Sequence, residues 1–279
     1  MNFHRLSCFF LFTFLLFACS PAGAISEYEL TEHEFLNLSL GLGFEFESGD
    51  YGTGSTIDTW RIPLLVAWTP LDRLTLSLEV PYIDQSSTSE TVHFGGSTMP
   101  RRRMTATGTF PSASGSNSSE SGLGDISLDA TFTLIQADRQ SPFLLALLYS
   151  KLPTADEDKG LGTGEFDWGA GLGIGNRLGN WSTYGEILAI QPGTSEVYAP
   201  DNYLEWLLSL SYRVKAGLRP GISLSGGTAA FDGADDPLEI KARLSGISGE
   251  KSSYSLYLAR GLSDASPDWG IGVFGYLDF

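Results

Sequence analysis

The stretch from Lys151 to Asn176, KLPTADEDKGLGTGEFDWGAGLGIGN, concentrates the residue types that most readily suggest chemistry. Asp156, Glu157 and Asp158 form an acidic run that could offer oxygen ligands to a divalent cation, and the glycines that follow could cradle a phosphate. Spacing argues against both. For a calcium loop starting at Asp156, the third alternate ligand position is Gly160, and the twelfth, where a bidentate Glu is needed, is Asp167. Gly160, Gly162 and Gly164 do not follow a strand and open a helix, as a dinucleotide loop must. Gly169, Gly171 and Gly173 alternate, placing them on one face of a single strand.

Acyl-transfer chemistry needs a base beside a nucleophile. His4 lies just before the apolar N-terminal run, His33 precedes the first alternating segment, and His93 sits in a long loop with Phe94 and two glycines. None lies on a strand face beside a serine, so no catalytic residue is assigned. Asp125 with Asp129 and Glu165 with Asp167 are carboxylate pairs sharing a face, which suits acid–base work but equally the lining of a water-filled channel. The elements that position these acids decide between the two.

Those elements begin after a leader. His4 and Arg5 precede the apolar run LSCFFLFTFLLFA and the small residues Ala22-Gly23-Ala24, the pattern of a cleaved secretory signal peptide over residues 1–24. The run is too short to cross a bilayer core of ~30 Å as a helix. Leu16-Phe17-Ala18-Cys19 offers a second processing site, resembling a lipobox. Cys8 and Cys19 both fall in this leader, so cleavage after Ala24 leaves no thiol for disulfides, nucleophiles or zinc. The chain carries 17 basic and 33 acidic residues, a net charge of −16 that becomes −17 once Arg5 leaves; this argues against nucleic acid as a partner.

From residue 35 onward the apolar period is two. Leu36, Leu38, Leu40, Leu42, Phe44 and Phe46 share one face, with Asn37, Ser39, Gly41, Gly43, Glu45 and Glu47 on the other. The alternation returns at 60–68, 73–82, 125–134, 165–174, 204–215 and 269–279, with weaker copies near 143–151, 181–191, 218–226, 238–247 and 254–262. This predicts an all-β fold of twelve strands, in which Pro63 and Pro81 are local blemishes.

Period two does not say which face is inside. A soluble sandwich buries its apolar face, whereas a transmembrane barrel turns it to lipid. Several segments reach the ~10 residues a tilted membrane strand needs. Short connections at 69–72, 137–142, 176–180, 215–220 and 248–252 alternate with mostly longer ones, including 84–122, the usual periplasmic and external asymmetry. Trp60, Trp68, Tyr82, Trp168, Trp181, Trp206, Tyr212 and Trp269 gather near strand ends as an interfacial girdle would. The chain ends on Phe279, which resembles the assembly signal of outer-membrane barrels. The expected organisation is a leader, a periplasmic segment over 25–34, and a transmembrane antiparallel β-barrel over 35–279 in the bacterial outer membrane.

GLGDISLDATFTLI, followed by LLYSKLPTADEDKGLGTGEFDWGAGLGIGNRLGNWSTYGEI, resembles the bacterial outer-membrane family of the MetA pathway of phenol degradation, with its GLGD, K-x-P-T-G-D and G-x-G elements. The match is clearest over 122–190, and Ala155 stands where the family pattern has glycine. The resemblance implies a barrel that moves small, often aromatic, compounds.

The expected function is a passive channel or transporter, not an enzyme, with no cofactor or metal. Its lumen would be lined by Glu45, Glu47, Arg61, Arg73 and Glu79, by Asp125, Asp129, Glu165, Asp167 and Glu186, and by Glu205, Arg213, Glu239, Lys241 and Arg243. The lumen-side glycines would leave room, or let a large neighbour pack across. In the long loop, SASGSNSSESG is low-complexity, while Arg101, Arg102 and Arg103 could pair with lipopolysaccharide phosphates or fold inward and bias the pore toward anions. Expected partners are outer-membrane lipid and lipopolysaccharide, small solutes, and the barrel assembly machinery through Phe279. The alternatives are a barrel enzyme acting on lipids, or an adhesive or structural barrel working through its external loops.

Overall fold

The computed structural model describes residues 38–51, 56–86, 91–94, 97–100, 119–137, 141–195, 199–215, 217–231 and 233–279. The leader, the 25–34 segment, His33 and Arg101–Arg103 lie outside these residues. The strands are β1 (Leu38–Gly49), β2 (Ile57–Leu71), β3 (Leu74–Ser86), β4 (Thr91–Phe94), β5 (Ser97–Pro100), β6 (Ser119–Leu123), β7 (Ile126–Ile135), β8 (Phe143–Leu152), β9 (Asp167–Leu178), β10 (Trp181–Gln191), β11 (Tyr203–Tyr212), β12 (Leu218–Gly227), β13 (Leu238–Gly249), β14 (Ser252–Gly261) and β15 (Trp269–Asp278). Among the described residues no helix is long and apolar enough to cross a membrane; the strands are the crossing elements.

Every pairing in the main sheet is antiparallel, and the sheet closes: β1 pairs with β2 on one side and with β15 on the other, and β2 goes on to β3. The strands β6 and β7 lie end to end along β3, the first against Tyr82–Ser86 and the second against Leu74–Glu79. Counted as one stave, they make a barrel of twelve, in agreement with the sequence periodicity. Closure removes both sheet edges, which in lipid would leave backbone donors and acceptors unpaired. At the seam, Phe279 N donates to Leu38 O at 2.9 Å, and Ser39 Oγ donates to Asp278 Oδ1 at 2.5 Å.

The faces fall as period two requires. Leu40, Leu42, Phe44, Trp60, Ile62, Leu64, Ile271, Val273, Leu277 and Phe279 are exposed, while Ser39, Leu65, Ser77, Glu79, Phe274, Tyr276 and Asp278 between them are buried. The apolar residues therefore face outward. Of the expected girdle, Trp60, Trp68, Tyr82, Trp168, Trp181, Tyr212 and Trp269 are exposed and Trp206 is half-buried. Outer-face rings cluster at the two ends: Phe46 packs at a tilt between Trp60 (4.2 Å) and Trp269 (5.0 Å), and Trp181 meets Tyr212 at 4.8 Å.

Three features depart from the sequence reading. The long connection is shorter than 84–122, because β3 runs on to Ser86 and the end of the low-complexity stretch, Ser119–Gly122, is strand β6. Ser119 Oγ donates to Asp84 Oδ1 at 3.1 Å, and Ile83 and Gln85 face inward, continuing the alternation past Tyr82. Within that connection β4 and β5 form a separate hairpin that alternation over so few residues could not reveal. Finally, Pro63 and Pro81 are more than blemishes: they sit opposite one another. The β1–β2 ladder lapses between Leu42↔Leu64 and Glu45↔Arg61, and the break between β6 and β7 falls beside Pro81. Each ring, having no N–H, thus interrupts the ladder on its outer side while the rung between the prolines is kept. Gly43 and Gly124 make room for the rings; a Cβ at either would meet Pro63 at 2.8 Å or Pro81 at 3.0 Å.

Candidate functional site: the barrel lumen

Lysine and acids of the opening stretch are structural. Lys151 Nζ, at the outer end of β8, lies 2.8 Å from Asp167 Oδ2 and 3.3 Å from Asp125 Oδ2, and donates to Thr163 Oγ1 at 2.7 Å. Asp125 Oδ1 accepts from the backbone N–H groups of Thr154 (3.1 Å) and Ala155 (3.0 Å), and Asp167 Oδ1 from that of Gly193 (3.0 Å). Thr154 Oγ1 donates to Gly124 O at 3.1 Å and accepts from Ile126 N at 2.9 Å. The GLGD and K-x-P-T segments are thus two halves of one clamp, which binds three connections to the rim and tucks Leu161 and Thr163 inside. Asp156 is occupied in its own turn, accepting from Lys159 N at 3.3 Å. No group of three or more potential metal ligands occurs among the described residues.

The lumen-side glycines admit large neighbours. A Cβ at Gly173 would meet Tyr184 Oη at 2.7 Å, and Phe143 fills the same space at Gly175; the two rings are stacked 6.1 Å apart. On the far side of the barrel Phe274 lies over Gly43, Tyr276 over Gly41 and Tyr257 over Gly272, forming a ladder with centroid spacings of 6.3 Å. The rings lie flat against the wall because the residue opposite each has no side chain, an arrangement that occupies little of the lumen. Aromatic residues on the inward face were not among the expected lining residues. The signal was in the sequence, since glycines on one strand alternate in phase with aromatics on the next.

Ionisable groups form a chain along β13, β14, β1, β2 and β3. Lys241 Nζ binds Glu239 Oε1 at 3.0 Å and lies 4.8 Å from the centroid of the Tyr257 ring. Tyr257 Oη donates to Glu45 Oε1 at 2.8 Å. Arg61 donates to Glu45 Oε2 at 2.7 Å through one nitrogen and to Glu79 through another. Glu47 lies within electrostatic reach of Lys241 and Arg61, and Arg243 is next inward on β13. In this half Glu45, Glu79 and Glu239 each have a base in contact.

The opposite half, β7–β11, differs. Phe143, Leu145, Leu147, Tyr149, Tyr184, Leu188, Ile190, Tyr203 and Leu207 make it apolar and aromatic. Ala230 and Phe231, from the β12–β13 connection, pack onto Tyr149, Ile190 and Tyr203 at the outer mouth. Asp129, Glu186 and Glu205 sit in this wall, with Glu186 accepting from Tyr184 Oη. Three expected residues stand apart. Arg73 is exposed in the turn between β2 and β3, where the chain reverses too tightly to bring it inside. Glu165 lies in the bend before β9, which begins only at Asp167. Arg213 follows β11 at the short-turn rim, its N–H donating to Asn180 O at 2.8 Å.

A closed antiparallel sheet with an apolar, aromatic-edged outer face and an ionisable interior is a transmembrane β-barrel of the bacterial outer membrane. The chain belongs to the family described as "Putative MetA-pathway of phenol degradation", whose model matches residues 71–242. Among solved structures it resembles the COG4313 outer membrane channel from Pseudomonas putida F1 with a TM-score of 0.67 at 17% identity, covering 89% of this chain and 97% of that one. The KdgM porin, crystallised with disordered oligogalacturonate, gives 0.54 at 9% identity over 86% and 99%. The translocator domain of the autotransporter NalP from Neisseria meningitidis gives 0.55 at 11% identity, over 92% of each chain. No curated protein sequence gives a significant match.

Proposed function

We propose that this barrel is a passive, non-enzymatic outer-membrane channel for small molecules, with aromatic and hydrophobic compounds among its substrates. The observation that carries this is the ionisable chain Glu239–Lys241, Tyr257–Glu45–Arg61–Glu79 inside a wall whose outer face is apolar. Charged groups at membrane depth are supported where they face water. The family's phenol-degradation description and the inward aromatic rings support the substrate class.

The test is permeation into liposomes bearing the refolded chain, using a small sugar, a small organic anion and a phenol-like aromatic. Permeation with a preference among them is expected; a folded barrel that passes none overturns the reading. Two contacts complete the proposal. The exposed Phe279 at the closing seam would be read by the assembly machinery, and the outer rim would meet lipopolysaccharide. Changing Arg101–Arg103 to glutamine alters ion selectivity if they line the pore and leaves it unchanged if they serve lipopolysaccharide alone.

A further inference from the structure

We propose that the β7–β11 wall of the lumen is a binding site for organic ammonium ions with an aromatic or aliphatic body. Asp129 and Glu205 would hold the cationic head, with the rings of Tyr149 and Tyr203 beside them. This deepens the transport reading and rests on it.

The first observation is charge imbalance. Between Lys151 at the outer rim and Arg177 and Arg213 at the other, the inward positions of β7–β11 carry no basic side chain. Lys151 is itself committed to Asp125 and Asp167. Glu205 has Glu186, Asp129 and Asp167 as its charged neighbours, all of its own sign. The opposite wall pairs Glu45 and Glu79 with Arg61 and Glu239 with Lys241, so these three acids already have counter-charges.

The second observation is independent of the count. Glu205 Oε2 is buried and has no hydrogen-bond partner among the described residues. No side-chain hydrogen bond or ion pair of Asp129 occurs among them either. A carboxylate taken from water without a partner is costly, and at membrane depth such a group marks a ligand or ion path. What the pair lacks is a donor carrying positive charge.

The third observation concerns the shape of that donor. Asp129 is directly opposite Tyr149 on the neighbouring strand. Tyr203 shares the inward face of β11 with Glu205, and both rings lie within electrostatic reach of the Glu205 carboxylate. Leu188 faces Glu205 across the β10–β11 ladder, Ile190 faces Tyr203, and Phe231 closes over the rings from the mouth. An ammonium head gains both carboxylates and the ring faces, and its apolar body gains the aliphatic wall. A carboxylate with the same body would be repelled by the same acids.

Benzylammonium, benzoate and benzyl alcohol share one ring and differ in charge, so their permeation into liposomes bearing the full barrel, less that into protein-free liposomes, separates the possibilities. Benzylammonium is expected to exceed benzoate by at least about tenfold, equivalent to 1.4 kcal/mol. In the Glu205→Gln and Asp129→Asn variant that ratio should fall toward one, and as a ratio it does not depend on how much barrel folds. Benzoate permeating as fast as benzylammonium through the wild-type barrel, with the alcohol also passing, overturns this inference and leaves the channel reading standing. A ratio unmoved by the double variant also overturns it. Passage of none of the three overturns this inference, while entry of the small sugar through the same barrel keeps the channel reading and its exclusion overturns that as well.

Discussion

Lys151 is the residue on which the outer rim depends. Its ammonium is almost fully buried between Asp125 and Asp167, and removing one partner of such a group leaves the other charges stranded. Lys151→Met is expected to lower stability by about 3 kcal/mol, read as the urea midpoint of the folded barrel in vesicles. Asp156→Asn, in a solvated turn of the same stretch, should shift the midpoint by less than about 0.5 kcal/mol. Glycine offers a second contrast. A Cβ at Gly171 would run into the Ile187 carbonyl, whereas Gly275 faces open space on the outer surface. Gly171→Ala should cost about 1–3 kcal/mol, while Gly275→Ala should stabilise by about 0.5 kcal/mol because it removes backbone freedom from the unfolded chain. Equal effects in the same unfolding assay would refute the close approach at Gly171.

At the scale of elements, the β12–β13 connection turns a loop side chain onto the inner wall. Phe231 packs against Tyr149, Ile190 and Tyr203, and Ala230 O accepts from Asp201 N at 2.7 Å, which fixes the approach. Phe231→Ala should cost about 3 kcal/mol of stability and raise sugar permeation per folded barrel; unchanged permeation would place the constriction elsewhere. The prolines show an element-level compromise. Opposed on β2 and β3, they put their missing donors on the outer sides of the pair, and the strand facing Pro81 divides into β6 and β7.

For the whole molecule the decisive property is the outward apolar face. Leu64 lies midway along β2 and Leu71 at its rim end, and both are exposed. Leu64→Arg is expected to cost about 2–4 kcal/mol in lipid and Leu71→Arg about 0–1 kcal/mol, measured by folding into vesicles. In a soluble barrel with this face in water, arginine would be close to neutral at both sites.

Several of these properties were determined by the sequence alone. Alternation fixed the all-β class, the twelve staves and the face of nearly every residue, because a strand's side chains change sides at every step. It failed at Arg73, Glu165 and Arg213, which extend the pattern into a turn, a bend and the residue after a strand, where that rule ends. Alternation also says nothing about stagger between strands. Stagger brings Gly43 under Phe274 and sets Asp129 beside Tyr149, and only chain reversal through three connections joins Lys151 to Asp125 and Asp167. The division of the lumen into a half that holds acid–base pairs and an acidic, aromatic half was likewise decided by closure. Ring position around the barrel follows from pairing β15 with β1, a contact between the two ends of the chain that no local pattern encodes.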